Sequence, residues 1–219
     1  MLGWAALTRS LIAWYQGDPV RSAAAARLGQ AGALAGAVAV KLAAQEMRCL
    51  AMLGETAGMA AAHRRAAAAM NQLGPSAHAP GTYSVPRAEE PPYTATSLLL
   101  VGRHGEAAEM TRRIIATAYS PHTRAPGGQP TRYARTLLIL ALAAAGLGEI
   151  DEAAAAGTAA LEAGRVVWPT MVLAGKLDQS LTAKSPGSAY AEDFRARYID
   201  AGRRLTLPAA PSSEEDAGE

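Results

Sequence analysis

Four segments of this chain place a glycine between two alanine-rich runs, and this recurrence constrains the fold more than any other feature. The segments are "WYQGDPVRSAAAA", "AMLGETAGMAAAH", "LLVGRHGEAAEMT" and "AGLGEIDEAAAAG", with turn glycines Gly17, Gly54, Gly102 and Gly148. Glycine readily takes the left-handed conformation that ends a helix, and a following Asp, Glu or Thr can begin the next one. Asp18 before Pro19 is the clearest example, because proline suits the first helical position. Each segment therefore predicts two helices joined as a hairpin.

Composition supports helices as the only regular structure. Hydrophobic residues make up 50% of the 219 residues but aromatic residues only 5%, and alanine dominates the apolar set. Alanine has the highest helix propensity and is poor in strands. Small side chains also allow helices to cross closely, so Ala153 and Ala160, seven residues apart on one face, are expected to lie where two helices touch. We therefore expect an all-α fold of packed hairpins.

Proline-rich stretches and two later helices complete the predicted organisation. Residues 73–92 and 120–130 contain prolines that exclude a continuous helix, so both are expected to be loops. After residue 165 two amphipathic helices are expected to form a C-terminal cap. Their apolar stripes consist of Leu173, Leu177 and Leu181 in one helix and Tyr190, Phe194 and Tyr198 in the other.

The chain is expected to divide into a helical domain and a tail. The helical domain spans residues 1–206. The tail, residues 207–219, is rich in proline, serine and acidic residues and is expected to be disordered.

The segment from Leu137 to Gly164 resembles a tetratricopeptide repeat. It has a small residue, Ala141, in the first helix, then Gly148 followed by an acid, with Ala153 five residues later and Ala160 twelve residues later. The resemblance implies a right-handed stack of helical hairpins, an α-solenoid, over residues 1–206. It also implies a scaffold that binds proteins or peptides.

A narrower resemblance is to the C-terminal regions of actinobacterial helix-turn-helix transcriptional regulators of the XRE type. It rests on "AAQEMRCLAMLGE", on residues 133–167 and on "DFRARY" near the end. Such regulators begin with a DNA-binding domain, whereas this sequence starts within the repeat-like region. The resemblance implies a sensory or regulatory role, or alternatively the dimerisation and effector part of a regulator without its DNA-binding domain.

Catalytic and metal chemistry find little support in the sequence. Cys49 and His63 flank the Gly54 turn and could approach as a thiol–imidazole pair, but no orienting acid accompanies them and Cys49 lies in the apolar run "CLAML". The other histidines lack the close spacing of zinc ligands, and no phosphate-binding loop occurs. We expect a non-catalytic protein with no metal and no cofactor.

Charge and cysteine content bear on partners and compartment. The formal net charge is +2, and the basic doublets Arg64–Arg65, Arg112–Arg113 and Arg203–Arg204 are expected on exposed outer faces. They lack interleaved aromatic residues, so we expect no specific nucleic-acid binding by this chain alone. A single cysteine suits a reducing cytoplasm, and the polar residues of the first helix argue against membrane insertion.

The first helices of the hairpins are expected to line a concave groove. By the registers of Gly54 and Gly148, its candidate residues are Lys41, Gln45, Arg48, Met52, Arg135, Leu138 and Leu142, joined by Tyr93 and Thr96 from the third hairpin. Cationic heads, an amide and an apolar floor suit an extended peptide with an acidic side chain or a terminal carboxylate. The expected partner is a peptide or a protein, and a homodimer is left open.

Overall fold

A computed structural model describes residues 2–32, 35–78, 84–87, 90–119, 130–163 and 166–206. Within these ranges the chain forms ten α-helices and one short 3-10 helix, Pro75–His78, with no strand, so the all-α prediction is confirmed. The helices are α1 (Leu2–Tyr15), α2 (Pro19–Gly32), α3 (Ala37–Met52), α4 (Thr56–Asn71), α5 (Thr94–Leu100), α6 (His104–Ala118), α7 (Pro130–Leu147), α8 (Ile150–Glu162), α9 (Trp168–Lys184) and α10 (Ala189–Thr206).

The four predicted turn glycines close their helices by the same hydrogen-bond pattern. Each has a positive φ, between 75° at Gly54 and 87° at Gly148. Each glycine N–H donates to the carbonyl three residues earlier, and the next N–H donates to the carbonyl five residues before it, at 2.9–3.2 Å. This is the Schellman arrangement, which leaves few helix-end carbonyls unpaired. The predicted hairpin turns are confirmed.

The predicted side-chain caps are only partly present. Asp18 Oδ1 accepts a hydrogen bond from the N–H of Arg21 at 2.9 Å, as expected of an N-cap aspartate. Glu55 and Glu149 occupy the same position in later hairpins but make no side-chain cap hydrogen bond. The glycine, not the residue after it, is therefore the common element of the four turns.

The four hairpins also bury equivalent positions. The buried residues lie seven and four positions before the turn glycine, and five and twelve positions after it. Seven positions before the glycine stand Ser10, Met47, Ala95 and Ala141, and four positions before it Ala13, Leu50, Leu98 and Ala144. Five positions after the glycine stand Ser22, Met59, Ala107 and Ala153, and twelve positions after it Gly29, Ala66, Ile114 and Ala160. Small residues predominate, because neighbouring helices approach closely there.

Helix contacts follow chain order. Each odd-numbered helix packs against the even-numbered helix that follows it, and the odd helices contact one another in the series α1, α3, α5, α7, α9. The molecule is thus built from sequential hairpins, with a continuous layer of odd helices. No helix in the described ranges has both the length and the hydrophobicity required to cross a membrane.

The last two helices, α9 and α10, pack against each other and against the hairpin before them. Leu177, Leu181 and Phe194 are fully buried, whereas Tyr190 is 59% exposed, so its assignment to the apolar stripe was wrong. Gly157 of α8 allows this packing, because a Cβ built there would lie 2.7 Å from Cε2 of Phe194.

Proline placement shortens one helix. α5 begins only at Thr94, after Pro91 and Pro92, and has 7 residues, whereas α3 has 16 and α7 has 18. Proline lacks a backbone donor and disfavours a helical conformation in the residue before it, so the helix cannot extend further back. Of the predicted loop over residues 120–130, residues 120–129 lie outside the described residues, and Pro130 is the first residue of α7. The predicted disordered tail, residues 207–219, also lies outside the described residues.

Candidate functional site

A cavity lies at the N-terminal end of α5. Because α5 is short, it does not fill the space between α3 and α7 along their whole length. The resulting cavity measures about 160 Å³ and is partly open to solvent. Lys41 reaches it from α3, Thr96 from α5 and Arg135 from α7, so three successive odd helices contribute to one site.

The lining of this cavity is cationic. Lys41, Arg132 and Arg135 line it, and none of the described lining residues is a carboxylate. The Nε of Arg135 is buried and has no hydrogen-bond partner among the described residues. A buried guanidinium nitrogen without an acceptor is costly, so this site favours an anionic ligand.

Threonine hydroxyls supply acceptors in the same cavity. Thr94, Thr111 and Thr136 each donate to a backbone carbonyl three or four residues earlier, at 2.8, 2.6 and 2.9 Å. Because each hydroxyl proton is already used, the oxygen atoms act as acceptors, and the oxygen of Thr136 already lies 3.4 Å from the hydroxyl of Tyr119. Ile114, Ile139 and Ala95 provide the apolar part of the wall.

Arg48 lies behind the cavity, enclosed between two aromatic rings. Its guanidinium carbon is 4.1 Å from the centroid of Trp14 and 4.2 Å from that of Tyr93, which itself lines the cavity. Burial lowers the pKa of Arg48 below its ordinary value, and the positive charge of Arg135 lowers it further. Arg48 and Arg135 therefore place two positive charges near each other on this side of the cavity.

A buried polar network connects Arg48 to the first hairpin. Arg48 donates to Gln45 Oε1, and Gln45 Nε2 donates to Ser22 Oγ at 3.0 Å. Ser10 and Ser22 exchange hydrogen bonds with each other's backbone carbonyl at 2.7 and 2.8 Å. These contacts link α1, α2 and α3 and hold the Arg48 side chain in place.

The Cys49 thiol belongs to this network. Its Sγ lies 3.0 Å from Ser22 Oγ, and burial raises the pKa of the thiol, which disfavours the reactive thiolate. His63 instead interacts with the backbone of Glu90, and burial lowers its pKa. Within the described ranges, no three His, Cys, Asp or Glu side chains lie close enough to hold a metal ion.

The structure brings together part of the predicted groove. Lys41, Tyr93, Thr96 and Arg135 line the cavity. Met52 is 44% exposed at the end of α3, and Leu142 is half-buried against the core.

Three predicted groove residues are placed differently. Gln45, Arg48 and Leu138 are buried, so the prediction that they lie on an accessible surface is wrong. The reason is tertiary: α1 and α2 cover the face of α3 that carries Gln45 and Arg48, and Tyr93 closes over Arg48. Leu138, in α7, belongs to the main hydrophobic core.

Residues that the sequence reasoning missed include Arg132, Thr136 and Ile139. With Arg135 they follow the spacing i, i+3, i+4, i+7 along α7, which is one face of a helix. The sequence spacing could have shown that these four residues share one face of α7. It could not have shown that this face lines a cavity, because the cavity exists only where α5 is short.

The basic doublets are exposed, as predicted. Several of their arginines pair with carboxylates of the fold: Arg65 with Glu46 at 2.6 Å, Arg112 with Glu152 at 2.8 Å, and Arg204 with Asp200 at 3.1 Å. Such pairing reduces the charge that these doublets present to a polyanion.

A second depression of about 320 Å³ lies between α4 and the proline-rich segment. Its lining includes His78, Arg87 and Glu90, so charges of both signs meet there. The cavity at α5 differs from it, because all the charged side chains in the described lining of that cavity are positive.

Comparison with known proteins returned no matching family model, no matching curated protein and no matching solved structure.

Proposed function

We propose that this chain is a non-catalytic helical-repeat scaffold that binds a peptide or protein ligand in a regulatory or sensory role in the cytoplasm. The observation that carries the proposal is the convergence of Lys41, Thr96 and Arg135, from three successive odd helices, on one cationic cavity. Repeat proteins make extended binding surfaces in this way, with each repeat supplying a few side chains.

A right-handed, tetratricopeptide-like stack is part of the same proposal. Support comes from the equivalent buried positions around the four turn glycines and from the series of contacts among odd helices. In such a stack the first helices of the hairpins form the inner layer, and residues of α3, α5 and α7 line the cavity together with Thr111 and Ile114 of α6.

The spacing of residues along α7 defines the path of the ligand. Lys41 and Met52 share a face of α3, but Gln45 and Arg48 lie between them on that face and are buried, so α3 offers no continuous surface from the cavity to Met52. Arg135 and Leu142 are seven residues apart in α7, which places them on one face and about 10 Å apart. A path from Arg135 to Leu142 matches about three positions of extended peptide, with an acidic residue at one end and an apolar residue at the other.

A selection from a library of random hexapeptides tests this proposal. We expect enrichment of peptides that carry an acidic residue about three positions from an apolar one. Recovery of no peptide above background in repeated selections would contradict peptide binding at this surface.

The exposed apolar residues of the first hairpin favour a second candidate, a regulator-like effector region that acts as a homodimer. Leu2, Ile12, Tyr15, Val20 and Leu28 are between 49% and 81% exposed. A contiguous patch of exposed apolar side chains is typical of an interaction surface. A dimer in analytical ultracentrifugation that dissociates in the Leu28→Glu variant would favour this candidate, and a monomer throughout would exclude it.

A further inference from the structure

The size of the cavity at α5 limits what can occupy its interior. Its volume of about 160 Å³ is close to that of a protein cavity of about 150 Å³ that accommodates benzene. A side chain or a ring-sized molecule fits this space, whereas a folded peptide segment does not.

The charges around the cavity determine the sign of its occupant. Arg135 lines the cavity and its Nε is buried without a hydrogen-bond partner among the described residues, and Arg48 lies close enough to have its pKa lowered by Arg135. Two like charges held near each other are stabilised by an anion between or beside them. An arginine fork matches the two oxygens of a carboxylate.

The apolar wall argues against a bare inorganic anion. A fully hydrated ion would keep water against Ile114, Ile139 and Ala95, so binding would remove no apolar surface from water and would gain no hydrophobic free energy there. In a molecule with a carboxylate on an apolar body, the carboxylate can contact the cationic side chains of the cavity while the body contacts its apolar wall. The threonine oxygens then accept hydrogen bonds from a hydroxyl or amino group on that body.

From these observations we infer that the cavity at the N-terminal end of α5 binds a small organic acid, consisting of one carboxylate on an apolar body about the size of a benzene ring. Arg135 holds the carboxylate, with Lys41 and Arg132 beside it, and Ile114 and Ile139 contact the body. This inference concerns the interior of the cavity, and it stands whether or not a peptide crosses the cavity mouth.

Isothermal titration of the full chain with matched small molecules tests the inference. The panel contains benzoate, 4-hydroxybenzoate and 3-methylbutanoate, with benzamide as the neutral analogue of benzoate and inorganic phosphate as an anion without an apolar body. We expect at least one acid to bind with 1:1 stoichiometry. That acid should bind at least tenfold more tightly than phosphate does. If the acid is benzoate, it should also bind at least tenfold more tightly than benzamide.

Variants locate the binding at the cavity. Arg135→Gln should weaken the bound acid about ten- to hundredfold, because the charge-assisted hydrogen bonds are lost. Arg64→Gln, an exposed arginine on α4, should leave the affinity unchanged. Ile139→Phe fills the cavity from its apolar wall and should abolish binding, which provides a second test if the arginine variant fails to fold.

Three results would overturn the inference: equal binding of benzamide and benzoate, tighter binding of phosphate than of any acid, or no binding by any acid in the panel. None of these results depends on the peptide selection, so failure of the acid site and failure of the peptide-binding proposal are distinguishable.

Discussion

The guanidinium carbon of Arg48, in α3, lies 4.1 Å from the ring centroid of Trp14, in α1. A cation over an aromatic face that is removed from water contributes about 2 kcal/mol. Arg48 is 3% exposed and stacks on Tyr93 from its other side, so its side chain also fills the space between the first and third hairpins.

We therefore expect Arg48→Ala to destabilise the fold by about 2–4 kcal/mol, through the cavity it leaves and the loss of both ring contacts. Urea denaturation measures the change. Arg48→Met is the matched control, because methionine restores most of the volume without the charge, and it should cost less than the alanine variant. Equal unfolding midpoints for Arg48→Ala and wild type would show that the side chain does not pack as described.

Stability should depend on pH through Glu46. Its side chain is 4% exposed and receives hydrogen bonds from Arg27 at 2.6 Å, Gln30 at 2.7 Å and Arg65 at 2.6 Å. Burial alone would raise the pKa of Glu46, but the three hydrogen bonds outweigh it and lower the pKa below 4.5. A pKa that is lower in the folded state stabilises the fold above the unfolded-state pKa, and this contribution disappears as pH falls through the folded-state pKa.

The expected result is a loss of unfolding free energy below about pH 4.5 in wild type that is smaller in Glu46→Gln. At pH 7 the variant should be less stable by about 1–3 kcal/mol. Glu162→Gln, which removes an exposed carboxylate paired with Arg197, should follow the wild-type pH profile. Identical acid transitions for wild type and Glu46→Gln would disprove the role of this carboxylate.

Local features of the fold were predictable from the sequence, whereas features that depend on neighbouring helices were not. Gly54 and Gly148 were assigned correctly, because the left-handed conformation at a helix end is a local requirement. The burial of Arg48 was missed, since it depends on Trp14 and Tyr93, which are distant in sequence. Likewise, prolines near residue 91 predicted a loop, but not that the shortened α5 leaves a cavity.

Gly157 is expected to tolerate no side chain. An added Cβ would meet Leu177 and would lie 2.7 Å from Phe194, so Gly157→Ala should cost about 1–3 kcal/mol despite the better helix propensity of alanine. A Cβ added at Gly105, in α6, would have open space around it, so Gly105→Ala should stabilise the fold by up to about 1 kcal/mol. Thermal melts of both variants measure the contrast, and shifts of the same sign would refute the close approach at Gly157.

Ala160 should act as a spacer between helices. It is 2% exposed, whereas the adjacent Ala159 is exposed on the same helix. We expect Ala160→Leu to cost about 1–3 kcal/mol by overpacking and Ala159→Leu to change stability by less than about 0.5 kcal/mol. Denaturant midpoints decide the matter: an Ala160→Leu midpoint equal to that of Ala159→Leu would mean that the wrong face of α8 packs inward.

The most direct test of ligand binding at the odd-helix layer is the affinity of a selected hexapeptide for two single-arginine variants. Arg135 lies at the cavity with an unpartnered Nε, and Arg64 is exposed on α4. Fluorescence anisotropy should show that Arg135→Gln weakens the peptide about ten- to hundredfold, because one charge-assisted contact is lost, while Arg64→Gln binds as wild type does. Equal affinities for the two variants, with both shown to be folded by circular dichroism, would contradict the placement of the binding surface on α3, α5 and α7.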